Sequence, residues 1–227
     1  MATKQQIPVV AARLTEFQES FENLPTEDAQ WVIMNAKDAI SLFISAVINR
    51  AKPAVQAVTA FLSAIIAATF SVSSTTEKFV AKDKFKVDTE RKAKVKISHL
   101  GDNFKEWFLG KTENPFAGST IYGRKLEKNS VDGPILQELG GNEAAETTLT
   151  EMYAAMEAQP NGENGDLLNN GWANIFYIKD VNGTLRAVRV RWSDDGWHVH
   201  ACSVENPLEW FTDRRIFSRN SSVSQTV

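Results

Sequence analysis

Cysteine and histidine are scarce in this chain of 227 residues: one thiol, Cys202, and three imidazoles, His99, His198 and His200. A lone cysteine excludes an internal disulfide and any zinc finger built on cysteine pairs. It suits a reducing compartment, so a cytoplasmic location is expected. Charge of one sign is also lacking. Twenty-five Lys and Arg face 28 Asp and Glu, a net charge of −3, so attraction to nucleic acid or acidic lipid would have to come from a local patch. Catalytic signatures are missing too. No G-x-G-x-x-G follows a strand, and there is no complete P-loop, no H-E-x-x-H and no G-x-S-x-G. That removes the common nucleotide loops, zinc proteases and serine hydrolases. The N-terminal MATKQQIPVVAARL has no long apolar core of the kind a secretory signal needs.

What is present belongs to an ordinary globular chain, 43% apolar and 23% charged. Its N-terminal third predicts helices. Leu14, Phe17, Phe21 and Leu24 repeat at three-and-four spacing over 7–24, and Pro25 ends that helix. Thr26 caps a second helix over about 27–50, with Glu27 and Asp28 in the first turn, where the helix dipole favours negative charge. Pro53 opens a third segment, PAVQAVTAFLSAIIAATFSVS, without a single charge. Its length suits either a buried helix packed through Ala and Ser or a membrane-inserting hairpin over 39–73. Its many Ala, Ser and Thr residues make the transfer into lipid marginal, which favours the buried helix.

Past the small polar linker 74–76, the hydrophobic period changes to two. In FVAKDKFKV and KAKVKIS the apolar residues alternate with lysines, and Asp88-Thr89-Glu90-Arg91 lies between as a turn. The simplest structure is an antiparallel hairpin with one apolar face and one lysine face. Lys82, Lys84, Lys86, Lys92, Lys94 and Lys96 could contact phosphates without reading sequence. The bland alternative is a solvated outer face whose lysines guard an edge strand.

Further along, GDNFKEWFL predicts a short amphipathic helix, and Pro134 opens another. Asn142 is expected to cap one continuous helix, EAAETTLTEMYAAMEAQ, with Leu149, Met152, Tyr153 and Met156 on its core face. NGENGD lacks the spacing of a calcium loop and reads as a turn. The stretch 171–204 then predicts a three-stranded meander, with hairpin signals at Asn182-Gly183 and Asp194-Asp195-Gly196. On its middle strand Arg189 and Arg191 point away from Val188, Val190 and Trp192. On the third strand His198, His200 and Cys202 share one face. Zinc can be held by such ligand types, but consecutive positions on one strand, about 7 Å apart, rarely converge on one ion. His200 and Cys202 are likewise too far apart for a nucleophile–base pair. No constellation argues for an enzyme, and no cofactor is expected.

The phrases FKEWFLGK, SVDGPI, AETTL, NGWANIFY and FSRNS resemble a group of short bacterial proteins, over about 95–221. The group has no established activity, so the resemblance implies a module and assigns no catalytic residue.

The expectation is therefore an α+β protein. A helical region at 1–73 precedes a domain at 77–220, in which an antiparallel sheet packs with short helices, and the tail 221–227 is disordered. Its expected role is non-catalytic binding or scaffolding, with a protein partner or self-association through the helical region. Two alternatives stand: sequence-independent nucleic-acid binding through the six lysines with Arg189 and Arg191, and membrane tethering through 39–73.

Overall fold

Strands dominate the observed architecture. The computed structural model describes Met34, 60–205 and 207–221. The chain divides into two compact units, Met1–Gln56 and Ala57–Val227. The strands of the second unit are β1 (Leu62–Val72), β2 (Phe79–Val80), β3 (Ile97–Leu100), β4 (Thr112–Glu113), β5 (Ser119–Leu126), β6 (Glu146–Thr147), β7 (Asn174–Lys179), β8 (Leu185–Ser193), β9 (Gly196–Ser203) and β10 (Arg215–Ser218). Its helices are short: α1 (Ala81–Lys84), α2 (Asp102–Phe108), α3 (Asp132–Glu138), α4 (Asn142–Ala145) and α5 (Leu149–Glu157).

The main sheet runs β1-β5-β10-β7-β8-β9-β3, with β6 also pairing with β7, and β2 pairs separately with β4. It is a mixed sheet. The pairs β10–β7, β9–β3 and β6–β7 are parallel and the others antiparallel. Both faces carry a core. On one, Phe176, Val188, Val190, Trp197, Val199 and Phe217 meet Phe104 and Phe108 of α2 and Met152, Tyr153 and Met156 of α5. On the other, Ile175, Tyr177, Ala187 and Ile216 meet Ile135 and Leu136 of α3, Ala145 of α4, and Trp210. A sheet covered on both faces needs apolar residues pointing both ways, hence the continuous run NIFYI in β7.

This corrects the expected fold class. The described residues form a mixed, sheet-dominated fold with few short helices, where an α+β protein with a helical N-terminal region and an antiparallel sheet packed with short helices was expected. The helix predicted over 7–24 lies outside the described residues, as do 53–59 of the third and all of 27–50 except Met34, which is helical. The described remainder of that third segment is strand β1, antiparallel to β5, with register shifts between Leu62 and Ala68. A run of small and β-branched residues suits a strand as well as a helix, and the irregular register hides the period of two. Arg124, buried between these strands, donates to the carbonyls of Ser63 and Ala64 at 3.0 and 2.8 Å. Glu138 accepts from the backbone of Phe61 and Leu62. Partners from β5 and α3 thus hold the segment extended. Among the described residues no helix is long and apolar enough to cross a membrane.

The lysine hairpin is also absent. Residues Ala81–Lys84 form α1, which lets Phe79, Ala81 and Phe85 all enter the first core. Ile97 begins β3 and pairs in parallel with β9, and the isolated Asp88–Ile97 bridge is the sole antiparallel link between the two lysine-rich segments among the described residues. The expected long helix from Asn142 is two helices interrupted by β6. Thr147 Oγ1 donates to the Tyr177 carbonyl, and Thr148 caps α5 in a reciprocal capping box with Glu151.

Candidate anion-binding face

The pairing register decides which side chains meet. Arg189 lies opposite His200, and Arg191 opposite His198, across the antiparallel β8–β9 ladder. Directly opposed residues project to the same side, so the arginine and histidine faces read separately from the sequence are one face. Parallel pairing of β3 then sets His99 beside His198. The three imidazole rings stand 4.9 Å (His99–His200), 5.5 Å (His99–His198) and 6.4 Å (His198–His200) apart, centre to centre. Every histidine of the chain is in this group.

The face is the continuation of the second core surface of the sheet. That core ends toward β9 at the partly buried Cys202 and Val204. Beyond it Arg191 and His99 are exposed, and Arg189, His198 and His200 are half-buried. Space for the cluster comes from Gly101: a Cβ there would lie 2.7 Å from His200 Nδ1. Among the described residues neither arginine has a hydrogen-bond or ion-pair partner, and Arg189 Nε is buried without one. A buried guanidinium nitrogen left unpaired is costly, of order 1–3 kcal/mol, which makes it receptive to an acceptor.

The electrostatics follow from the crowding. Burial, then Arg189, His99, His198 and Arg191, push the His200 imidazole down to about 4. Burial, Arg191 and His99 lower His198, against an upward pull from Asp195. The Cys202 thiol is raised by burial, which keeps it a poor nucleophile. At neutral pH the two guanidiniums therefore supply the positive charge while His198 and His200 are neutral.

A titration followed by imidazole proton resonances is expected to show His200 protonating near pH 4, and Arg189→Gln is expected to move that midpoint upward. The sign for stability follows. Above pH 6.5 the imidazole is neutral whether folded or not. Between 6.5 and about 4 the unfolded chain takes up a proton that the folded chain refuses, so stability falls as pH falls through that window. His200→Gln should flatten the loss in acid-unfolding curves.

Other sequence-derived candidates stand elsewhere. Lys84 lies over the Tyr153 ring and Lys94 pairs with Glu157, both on α5 over the first core, away from the arginine face. Lys96 uses its backbone to bond Pro160 and Trp197. With Lys82, Lys86 and Lys92 they do not form one strand face with Arg189 and Arg191. Among the described residues no group of His, Cys, Asp or Glu is placed to hold a metal ion; His198, His200 and Cys202 remain in sequence along β9, and two guanidiniums oppose any cation there.

Three further residues border the face. Arg214 precedes β10, and its guanidinium carbon lies 5.1 Å from the ring centres of both Trp172 and Phe211. It is close enough to Arg189 for their repulsion to lower its pKa, after burial. Alternation alone places Trp172 in the core with Phe176 and Ile178, but it sits before β7 begins and is 42% exposed. The signal available was Gly171, whose left-handed φ of 89° turns the chain just before it. No family model, curated protein or solved structure matches this chain.

Proposed function

We propose that this chain is a non-catalytic binding protein, and that the face formed by β8, β9 and β3 takes an anionic partner. The observation that supports it most directly is the pair Arg189 and Arg191, side by side on one face with no acceptor among the described residues. Unpaired guanidiniums beside the neutral His198 and His200 offer charge and N–H donors; among the described residues Asp195 is the carboxylate whose field acts on His198, and none acts on His200. Among the described residues nothing there is poised for chemistry: burial raises the Cys202 thiol, and no carboxylate is hydrogen-bonded to the histidines to orient them as bases.

The test is calorimetric titration of the full chain with inorganic polyphosphate at neutral pH and low salt. Binding is expected, weakening as salt screens it. Arg189→Gln and Arg191→Gln should each weaken it about tenfold, the scale of one charge-assisted hydrogen bond. Affinity should rise as the pH falls toward about 4, when the His200 imidazole charges. Absence of binding at low salt, or binding untouched by the double replacement, would overturn the reading.

A further inference from the structure

Resting on that reading, we infer that the anionic partner is a single-stranded nucleic acid, with phosphates on Arg189, Arg191 and Arg214 and bases stacked on Trp172 and Phe211. The inference comes from exposed aromatics placed beside the arginines. Trp172 is 42% and Phe211 50% exposed, whereas no other Phe, Trp or Tyr among the described residues is exposed. Both ring centres lie 5.1 Å from the Arg214 guanidinium carbon, and the exposed part of each side chain is open to a flat ligand. A guanidinium in contact with aromatic rings still has N–H donors for a phosphate.

The strand register sets the path. Arg215 pairs with Asn174, and Asn174 with Val190, so Arg214 and the two arginines of β8 flank β7. That is two strand spacings, roughly 10 Å. Arg214 is close enough to Arg189 for the two charges to repel, so it borders the face that carries Arg189 and Arg191. A strand of nucleic acid crossing β7 there would pass from the aromatic pair to the arginine–histidine face. Splayed bases stack on aromatic rings whatever their identity, whereas a duplex keeps its bases stacked on one another. A phosphate-only polyanion would gain nothing from the rings. Aromatic and cationic groups together on an open sheet face match the single strand better than either alternative.

The experiment uses the full chain with a labelled oligo(dT) of about 12 nucleotides, within the site size of sheet-based single-strand binders. A duplex of the same length and inorganic polyphosphate serve as comparisons. The expected result is oligo(dT) binding by anisotropy, at least about tenfold weaker duplex binding, and quenched tryptophan fluorescence. Trp172→Ala and Phe211→Ala should each weaken oligo(dT) binding about five- to tenfold and leave polyphosphate binding unchanged; Trp172→Phe should retain it. Polyphosphate binding with no preference for the single strand, or with no loss in the two alanine variants, overturns the nucleic-acid inference and leaves the anion-binding reading standing. Failure of all three ligands overturns both.

Discussion

Replacing Glu151 with alanine is expected to destabilise the domain by about 3–4 kcal/mol, lowering the melting temperature by about 10 °C in a domain of this size. The Glu151 carboxylate is fully buried and saturated with donors. One oxygen accepts from Arg219 Nε at 2.7 Å and from Ser119 Oγ. The other accepts from Arg219 Nη2 at 3.0 Å, Thr148 N at 2.7 Å and Thr148 Oγ1 at 3.0 Å. Alanine removes half the capping box of α5, worth about 1 kcal/mol, and strands donors that cost about 1–3 kcal/mol more. The helix affected carries Met152, Tyr153 and Met156 into the first core, so the loss spreads. Arg219→Ala should cost less, about 2 kcal/mol, because Glu151 keeps its three hydroxyl and amide donors. Urea unfolding of both variants checks the order; equal effects would mean that the ion pair, not the cap, dominates.

Asp132→Ala is the second large effect, about 2–4 kcal/mol. Its Oδ1 accepts from Tyr177 Oη at 2.9 Å and from Trp210 Nε1 at 2.7 Å, and all three side chains are buried. Alanine leaves two donors unsatisfied in the second core, at about 1–2 kcal/mol each. Asparagine behaves differently. Its amide oxygen can keep both bonds, and its NH2 replaces Oδ2, which is buried without a partner. Burial raises the Asp132 pKa above 3.8, against the lowering pull of its two donors. The folded state therefore holds this proton more tightly than the unfolded chain does. The stabilisation is complete below 3.8 and is lost as pH rises through the folded-state value. Asp132→Asn should match the native protein in acid and exceed it at neutral pH. Urea unfolding across that range measures it, and an Asn variant weaker than native at neutral pH would show that the site favours the ionised carboxylate over the neutral group.

These networks show where sequence reading stops. Thr148 and Glu151 carry the capping-box signature in plain view, yet the apolar spacing of EAAETTLTEMYAAMEAQ favoured a single helix capped at Asn142. The break at Glu146–Thr147 is imposed by β7, which takes both residues as a parallel strand. Likewise, nothing local marks Asp132 as buried. It becomes so because Trp210, 78 residues away, closes over it.

The meander is the opposite case. Its three strands, its turns and the two faces of β8 and β9 were legible in 171–204, because turn chemistry and a period of two are local properties. So was α2, from the amphipathic spacing of GDNFKEWFL. What the residues alone determined, then, is the set of short-range choices: where the chain turns, and which side chains alternate. The working face was decided by tertiary structure. Arg189 and Arg191 join His198 and His200 only through the β8–β9 register, and His99 arrives on a parallel strand from far earlier in the chain. Arg214 and its two aromatics come together only where the connection into β10 meets the approach to β7. Parallel pairings have no turn to announce them, since the chain must leave the sheet and return. A face assembled across such pairings is fixed by the burial of two cores, and no window of sequence contains it.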